Sequence, residues 1–345
     1  MQHQTLQTTL QQQIVDDADR KLVDSIFHTT DIYTISELLN RYCKEQFDQA
    51  ISTCTFAYLS VGATFVVQLT SGQELVLKAN SPQYDLAALT ACCKVQNFLA
   101  EQGFPCPAVL RLPRNFGVSS LMVQAFCDPG DRVDPVDPGI NTTMAQYLAT
   151  LMQHIKSSSQ LSLLRSELPV WMEMNQPQLW HKPHNVLFDF EKTAVGAEWI
   201  DEIARQAKQI LQEATGPLVI GHSDWSLQNM SFRQGTLSCV YDWDSLRIGL
   251  EPCFVGGAAR CFRHDWRYGP PETAITVEEI LTFIEAYEHK RGQPFTQDER
   301  CVLGAAVVYT AAYEMRCVHA IATHTDAYYT CSKRKLHQLV ESFLE

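Results

Sequence analysis

Several features that mark other protein classes are missing from this chain of 345 residues. No apolar run approaches the length of a membrane-spanning helix, and the glutamine-rich start, residues 1–13, lacks the basic and apolar segments of a secretory signal peptide. The sequence therefore predicts a cytoplasmic protein with no membrane partner. No internal repeat or long low-complexity segment interrupts the chain, and its length and composition suffice for two lobes with ordinary cores.

Positive charge is also scarce. Lys and Arg total 27 against 39 Asp and Glu, so the net charge of -12 argues against a nucleic acid or an anionic membrane as partner. The same charge favours a cationic small molecule only weakly. The twelve cysteines include no C-x-x-C pair, which disfavours a zinc or redox site, and the adjacent Cys92 and Cys93 cannot form an ordinary disulfide. We predict reduced, mostly buried thiols.

The most informative stretch is the loop at residues 222–229, with the sequence H-S-D-W-S-L-Q-N, followed by Asp242 thirteen residues after Asn229. In an H-x-D-x-x-x-x-N loop, the carboxylate orients an acceptor hydroxyl and the amide holds a metal, while a downstream aspartate is the main magnesium ligand. We therefore predict Asp224 as the catalytic residue of a phosphotransferase, with Asn229 and Asp242 as its metal ligands. Few other chemistries need these three residues in this order.

The segments around the loop predict short strands. A Gln-Gly pair at residues 234–235 predicts a two-residue hairpin turn between residues 230–233 and 236–241. If the strands pair directly around that turn, Asn229 lies opposite Val240, and Asp242 follows two residues later, roughly 7 Å along the strand. Both side chains could then reach one Mg²⁺ ion, which keeps waters and substrate phosphates in its other positions.

The first part of the chain predicts helices and then a small sheet. Residues 1–54 form a predicted N-terminal helical segment, although the first dozen residues are polar enough to be disordered. From Thr55 the pattern changes to strands, with a tight turn at Ser71-Gly72. A helix from about Tyr84 to Gln102 and a strand over residues 121–126 follow. The rest of the chain is mainly helical, apart from the strands around the loop motif.

Lys78 is the candidate phosphate-binding residue of this sheet. The turn at residues 71–72 would pair Lys78 near Phe65, so that its ammonium group lies beside the turn that contains Gly62. The phosphates of a nucleotide could bind there. Taken alone the signal is weak, because a lysine that ends a surface hairpin more often carries a solvated charge.

These elements, in this order, resemble the aminoglycoside phosphotransferase and choline kinase superfamily, which is related to the protein kinases. The resemblance covers roughly residues 55–260 and rests on Lys78, Phe98-Leu99 with the P-C-P-A-V-L run at 105–110, the strand at 121–126, the loop at 222–229 and the D-W-D run at 242–244. It implies an α+β, bilobal, protein-kinase-like fold. A small N-lobe with an antiparallel sheet would occupy residues 55–126, and a larger, mainly helical C-lobe residues 127–345.

The resemblance also implies a function for each candidate residue. The reaction would be ATP-dependent, Mg-assisted, in-line phosphoryl transfer to a hydroxyl group of a small molecule. Lys78 would contact the nucleotide phosphates beside Gly62. The backbone of Gln124, Ala125 and Phe126 would bind the base. An aminoglycoside, a choline-like or homoserine-like metabolite and a natural product remain open as acceptors, as do ATP or GTP preference and the oligomeric state.

Two residues depart from the family pattern. Ser223 stands where the family usually has glycine, which is harmless if the backbone there does not need a positive φ. Cys92 falls where the family commonly carries the glutamate partner of the nucleotide lysine, and the helix offers only Asp85 near its start and Glu101 near its end. The missing acid favours a different class of function, a pseudokinase that binds a nucleotide or a partner without turnover. The intact loop motif favours an enzyme.

Other candidate residues have simpler explanations. The H-K-P-H run at residues 181–184 predicts a loop rather than a metal site, and Asp189 has a structural role in an F-D-F-E run that precedes the catalytic loop. His222 is predicted to hold the loop in place. Arg316 could either pair with a buried carboxylate or contact an anionic substrate. The conceivable acceptor-site residues are Trp225, Asp265, Trp266, Glu285, Glu288, Glu314 and His319.

Overall fold

A computed structural model describes residues 4–131, 133–263, 275–321 and 326–344, and the chain divides into two compact units. Unit 1 contains the described residues of Met1–Asn97, Pro107–Cys127 and His184–Phe188. Unit 2 contains those of Phe98–Cys106, Asp128–Pro183 and Asp189–Glu345. Unit 1 is built on an antiparallel sheet and unit 2 is mainly helical, so the predicted α+β fold is confirmed.

Unit 1 begins with three helices, α1 (Leu6–Gln13), α2 (Asp17–Phe27) and α3 (Ile32–Phe47). The prediction of disorder is wrong for residues 4–12, the described part of the first dozen. Leu6 and Leu10, one helical turn apart, are buried in the core of the unit, and the Thr5 side chain caps the first turn. This segment also bonds the first strand: the Gln4 carbonyl accepts from the Cys54 N–H, and the Thr9 hydroxyl donates to the Cys54 carbonyl, both at 2.9 Å.

The sheet of unit 1 has five antiparallel strands in the order β1-β2-β3-β5-β4. They are β1 (Ile51–Leu59), β2 (Gly62–Leu69), β3 (Glu74–Asn80), β4 (Val109–Phe116) and β5 (Ser119–Ala125), with α4 (Leu86–Glu101) between β3 and β4. β1 starts at Ile51, inside the predicted helical segment. One face of the sheet packs on α1 to α3 through alternate residues such as Phe65, Leu77 and Val123. The opposite face carries Lys78.

The hairpin between β2 and β3 differs from its prediction by one residue. Its turn has three residues, 70–72, because Gly72 takes a left-handed φ of 88° at the last position. Such loops are a common hairpin connection. The extra residue shifts the register, so Lys78 pairs with Thr64 rather than near Phe65.

Unit 2 contains seven helices and two strand pairs among the described residues. The helices are α5 (Pro138–Ser157), α6 (Ser159–Ser162), α7 (Glu198–Glu213), α8 (Glu251–Cys261), α9 (Val277–Arg291), α10 (Gln297–Ile321) and α11 (Asp326–Phe343). Strand β6 (Leu218–His222) pairs with β9 (Leu246–Leu250), and β7 (Met230–Arg233) pairs with β8 (Thr236–Val240).

Helix α10 is the central helix of unit 2, in contact with α7, α8 and α11. By length and composition alone it is apolar enough to cross a membrane, so the prediction that no apolar run approaches that length is wrong. In the fold, 89% of its most apolar stretch is buried inside the protein, as expected for the core helix of a globular unit.

The described cysteines are free thiols, and most of them are buried, as predicted. Burial raises the pKa of Cys43 and of Cys253 to about 12. These thiols are therefore protonated at neutral pH and packed as small apolar side chains.

Candidate active site

His222 ends strand β6 and organises the loop that follows it. Its ring is 1% exposed, and Nε2 donates to the Tyr241 carbonyl at 3.0 Å while Nδ1 accepts from the Asp224 N–H at 3.3 Å. These bonds fit one neutral tautomer. Burial lowers the pKa of His222, although the nearby carboxylates of Asp224, Asp242 and Asp244 oppose that effect. The imidazole is thus a neutral scaffold, which supports the interpretation made from the sequence.

The carboxylate of Asp224 is held by two side chains of its own loop. Asn229 Nδ2 donates to Asp224 Oδ2 at 2.7 Å and to the Asp224 carbonyl at 3.0 Å, and Ser226 Oγ donates to Asp224 Oδ1 at 3.1 Å. Because both partners of Asn229 are acceptors, its amide nitrogen must face Asp224. Asn229 Oδ1 is therefore directed away from Asp224, as a metal ligand would need to be.

Asp242 follows strand β8 in a left-handed conformation, with φ of 63°. Asp adopts this conformation more readily than most residues, and such backbone outliers cluster at functional sites. Ser245 Oγ donates to Asp242 Oδ2 at 2.8 Å, and the Ser245 N–H donates to the Asp242 carbonyl at 3.0 Å. The short turn at residues 243–245 therefore fixes both the backbone and the carboxylate of Asp242.

The hairpin between β7 and β8 closes as the sequence predicts. Gln234 and Gly235 have φ of 51° and 74°, the two positive values of a tight two-residue turn. Arg233 pairs with Thr236 on either side of it.

A β-bulge at Ser238 then shifts the register of this hairpin. Met230, rather than Asn229, pairs with Val240, and the Asn229 carbonyl accepts from the Tyr241 N–H at 2.8 Å. The predicted pairing of Asn229 with Val240 is wrong by one residue, because the bulge adds a residue to β8. Asn229 is consequently one residue nearer to Asp242 along the ladder than predicted.

The residues at this site fit a magnesium ion by their chemistry. Asn229 and Asp242 offer an amide oxygen and a carboxylate, the hard oxygen donors that Mg²⁺ prefers. Across the described part of the chain, no group of three or more His, Cys, Asp or Glu is placed to hold a metal. A cation bound by Asn229 and Asp242 would therefore need waters and phosphate oxygens to complete its coordination.

Three serines support these residues, and two of them were not predicted. Ser226 and Ser245 contact the carboxylates of Asp224 and Asp242. Ser226 lies two residues after Asp224, and Ser245 lies three residues after Asp242. This spacing is the only sequence signal for the two serines. Ser223 Oγ donates to the Ser245 carbonyl at 2.8 Å, and its φ is not positive. The departure from glycine at Ser223 is therefore harmless to the backbone, as expected.

Lys78 and Gly62 lie on neighbouring strands of unit 1. Lys78 is 8% exposed and pairs with Thr64 on one side and Met122 on the other. Gly62 opens β2 opposite Asn80, and a Cβ added there would lie 2.6 Å from the Ala79 carbonyl oxygen. Glycine at position 62 is thus required by close strand packing, independently of any nucleotide.

The three predicted base-binding residues lie at the end of β5. Gln124 is buried and pairs with Val76, and the Ala125 N–H donates to the Ala108 carbonyl at 2.8 Å. The Ala125 N–H therefore already has a hydrogen-bond acceptor within the sheet. Phe126 is half-buried and lies just beyond the strand.

Helix α4 shows what stands in place of the family's acid. Cys92 is 3% exposed within this helix. Asp85 Oδ2 accepts from the Ala88 N–H at 3.0 Å, as an N-cap residue does, and Glu101 is exposed in the last turn. Asp85 thus has a capping role whatever its relation to Lys78.

Arg316 is a structural residue. It is 1% exposed, lies 4.5 Å from the centre of the Phe190 ring and donates to the Phe190 carbonyl. Its Nη1 donates to Thr193 Oγ1 at 3.1 Å, and its Nε lies 3.7 Å from Asp201 Oδ1. Of the two possibilities left by the sequence, the structure favours pairing with a partly buried carboxylate.

The other minor candidates are also explained by packing. His181 stacks on Tyr313 with ring centres 4.5 Å apart, and the His184 carbonyl accepts from a glutamine side chain. Asp189 pairs with Lys192 at 2.8 Å on the surface.

Three of the conceivable acceptor residues are held by neighbours in unit 2. Trp225 is 1% exposed and its indole N–H donates to a backbone carbonyl at 3.1 Å. Glu288 accepts two bonds from Arg300, at 2.8 and 2.9 Å. Glu314 pairs with Arg260 at 2.8 Å.

Two of the other four lie in the described part of the chain. Glu285 is exposed on α9, and His319 bonds the Val195 carbonyl at 3.1 Å. Asp265 and Trp266 lie outside the described residues.

Comparison with known proteins identifies the family and the fold of this chain. A family model for the phosphotransferase enzyme family matches residues 56–273, which is more than half of the chain. A comparison with curated proteins finds no match to this chain. Similar solved structures include an amicoumacin kinase in complex with AMP-PNP, Ca²⁺ and Ami, with 13% identity and a TM-score of 0.63 over 89% of this chain and 93% of that chain.

Two further structures have the same fold. A microcompartment-associated aminopropanol kinase has 15% identity and a TM-score of 0.58 over 90% of this chain and 95% of its own. An aminoglycoside phosphotransferase in complex with ADP and hygromycin B has 13% identity and a TM-score of 0.56 over 88% and 98%. At these identities the likeness shows the fold alone, and it confirms the predicted kinase-like fold. The chain therefore belongs to the phosphotransferase enzyme family, as the resemblance of its motifs implied.

Proposed function

We propose that this protein is an ATP-dependent kinase that transfers the γ-phosphoryl group to a hydroxyl group of a small molecule. The observation that carries the proposal is the hydrogen-bonded loop in which Asn229 and Ser226 fix both oxygens of Asp224. A carboxylate held in this way is oriented before a substrate arrives, and positioning is a large part of phosphoryl-transfer catalysis.

Each half of the reaction has its own residues in this proposal. Asp224 orients the acceptor hydroxyl and takes its proton as the oxygen attacks phosphorus in line with the leaving nucleotide. Asn229 and Asp242 hold Mg²⁺, which neutralises charge on the phosphate oxygens when bound. His222 keeps the loop in place and stays neutral.

Unit 1 supplies the residues proposed for the nucleotide. Lys78 contacts the phosphates beside the turn at Gly62, and backbone groups of residues 124–126 other than the Ala125 N–H bind the base. The sheet face with Lys78 is opposite the face that packs on α1 to α3, which supports this assignment.

We also propose the class of the acceptor and the cellular location of the protein. Two similar structures are named as kinases of amicoumacin and aminopropanol, and a small-molecule acceptor is the simplest extension to this chain. The free, mostly buried thiols agree with a reducing, cytoplasmic location. We propose no nucleic acid or membrane partner, on the basis of the net charge of -12.

A second candidate function is a pseudokinase that binds nucleotide without turnover. Buried Cys92, at the place where the family commonly has an acid, favours it. This alternative predicts nucleotide binding with no phosphorylated product.

An ATP-consumption screen separates the two candidates. The full chain would be incubated with ATP and Mg²⁺ against a library of amino alcohols, other metabolites and aminoglycosides, with phosphorylated product identified by mass spectrometry. We expect Mg-dependent phosphorylation of at least one acceptor, with Asp224→Asn as the inactive control. Nucleotide-dependent thermal stabilisation without any product would favour the pseudokinase. Absence of both product and nucleotide binding would overturn both.

A further inference from the structure

Two buried glutamines of unit 1 form a chain of amide hydrogen bonds that ends on a backbone carbonyl. Gln96, on α4, is 0% exposed, and its Nε2 donates to the Pro107 carbonyl at 2.6 Å. Gln124, on β5, is 6% exposed, and its Nε2 donates to Gln96 Oε1 at 3.2 Å. The direction of this chain is fixed by its last member.

A carbonyl oxygen can only accept, so the amide atom of Gln96 that faces Pro107 must be the nitrogen. Gln96 Oε1 is then directed to Gln124, which must offer its own nitrogen in return. Turning either amide over would place two acceptors or two donors in contact within a buried region, which is costly. Each amide therefore has one stable orientation.

The result is that Gln124 Oε1 is the acceptor left outside the chain of amides, whereas Gln124 Nε2 donates one of its two N–H groups to Gln96. Among the described residues, no N–H or O–H group donates to Gln124 Oε1. A buried side chain whose orientation is imposed by neighbours, with an acceptor left over, is suited to recognise a donor on a ligand.

Gln124 also lies on the nucleotide face proposed for the sheet. Leu121 and Val123 of β5 belong to the core on the other face, so Gln124 shares its face with Lys78 and Val76. Val76 pairs directly with Gln124, and Lys78 lies two residues further along the neighbouring strand. Val76 and its partner Val66 are half-buried and apolar, as a flat surface for a base would be.

We propose that Gln124 Oε1 accepts a hydrogen bond from the exocyclic amine of adenine and makes the protein select ATP over nucleotides with a 6-carbonyl purine. This inference rests on the proposed function. Adenine carries an amine donor at position 6, where guanine and hypoxanthine carry a carbonyl acceptor. A 6-carbonyl base would place two acceptors in contact, and the amide of Gln124 cannot turn over to relieve them. Gln96 acts as a positioning residue, since it imposes the orientation without touching the base.

Binding of ATP and inosine triphosphate, measured by calorimetry on the full chain with Mg²⁺, tests the inference. Hypoxanthine replaces the 6-amine with a carbonyl and adds no 2-amine. For the wild type we expect ATP to bind about 10- to 100-fold more tightly, the value of one lost hydrogen bond with an unpaired acceptor. In Gln96→Met the amide of Gln124 is free to turn over, and the ratio of the two dissociation constants should fall towards one. Gln124→Met should lose the preference as well.

Asn97→Leu is the matched control. Asn97 Oδ1 accepts from the Val109 N–H at 2.9 Å, so this variant breaks a neighbouring bond between α4 and β4 but leaves the amide chain intact. Its ratio should equal that of the wild type. Because each ratio is taken on one preparation, partial loss of folded protein cancels. A wild-type ratio near one, or an unchanged ratio in both methionine variants, would overturn the inference while the kinase proposal stands. If the wild type binds neither nucleotide, the proposed function falls with it.

Discussion

The two units hold their candidate site residues by different means. In unit 1, Lys78 and Gln124 lie on regular strands, and the register of the sheet sets the spacing between them. In unit 2, Asp224 and Asp242 lie in irregular segments just after strands end, and side-chain hydrogen bonds fix their carboxylates. One site depends on many shared backbone bonds and the other on a few particular side chains.

This difference between the units predicts where substitutions should have the largest effects. A strand keeps its register when one side chain is shortened, so a change in unit 1 removes one contact and little else. A loop held by its own side chains loses both a reacting group and the order around it. We therefore expect the largest effects in unit 2, on turnover, and smaller ones in unit 1, on nucleotide use.

The largest effect is expected for Asp242→Ala. Loss of the charged metal ligand should reduce turnover by on the order of 10³-fold or more, because a bound metal contributes several kcal/mol of transition-state stabilisation. The measurement is turnover across a magnesium titration. Asp189→Ala removes a surface carboxylate of the same unit and should match the wild type. Equal magnesium-dependent activity in Asp242→Ala would refute the site assignment.

Asp224→Asn should cost about 10²- to 10⁴-fold in the chemical step, the scale of general acid-base catalysis. ATP affinity should change little, because Asp224 is assigned to the acceptor hydroxyl and not to the nucleotide. Single-turnover kinetics at saturating ATP, once an acceptor is known, separate the two effects. Wild-type chemistry in this variant would remove Asp224 from its proposed role.

Lys78→Ala tests unit 1 and should have a smaller effect. Loss of charge-assisted hydrogen bonds to phosphate should lower kcat/KM for ATP by about 10- to 100-fold. Lys94, exposed on α4, provides the control Lys94→Ala. A fall as large as that of Asp242→Ala would contradict the contrast between the units.

The partner of Lys78 can be sought in the same assay. Asp85→Ala would confuse loss of charge with loss of the helix cap, whereas Asp85→Asn keeps a capping side chain and removes the charge. Glu101→Gln is the parallel change at the other end of α4. If neither variant alters ATP use while Lys78→Ala does, another group holds the lysine.

The smallest expected effect concerns His222 and the pH dependence of stability. Burial lowers the pKa of folded His222 below the ordinary value of 6.5, so the unfolded chain takes up a proton first as the pH falls. The free energy of unfolding should be constant above about pH 6.5 and decrease below it, by at most about 1.4 kcal/mol per pH unit from this group. Urea unfolding of wild type and His222→Gln across this range measures the difference. Identical pH slopes would show that His222 is not held neutral.

The sequence predicted the elements better than their registers. The Gln234-Gly235 turn is as predicted, since two positive φ values suit those residues. The 70–72 turn is one residue longer than predicted, and its backbone is bonded to Ala50 and Gln49. Contacts with residues about twenty positions earlier stabilise this turn, and no local sequence pattern predicts these contacts. The bulge in β8 was missed for a similar reason, because a bulge leaves no period in the sequence.

For the candidate site, the loop motif indicated which residues to examine but not how they are held. The roles of Ser226 and Ser245 require the fold of their turns, and serine at those positions is too common to predict them. The burial of Arg316 depends on the segment that contains Phe190, more than a hundred residues earlier. The order of α1 was not predicted, because a short helix depends on packing rather than on its own sequence.

The bonds that the start of the chain makes to Cys54 bear on the behaviour of the whole molecule in solution. β1 is the outermost strand of its sheet, and an open outer strand is a template for pairing with a second chain. The Gln4 carbonyl and the Thr9 hydroxyl occupy the donor and acceptor of Cys54, so part of this edge is closed from within. Residues 4–9, whose composition suggests a dispensable tail, thus leave less of this edge open for pairing with a second chain.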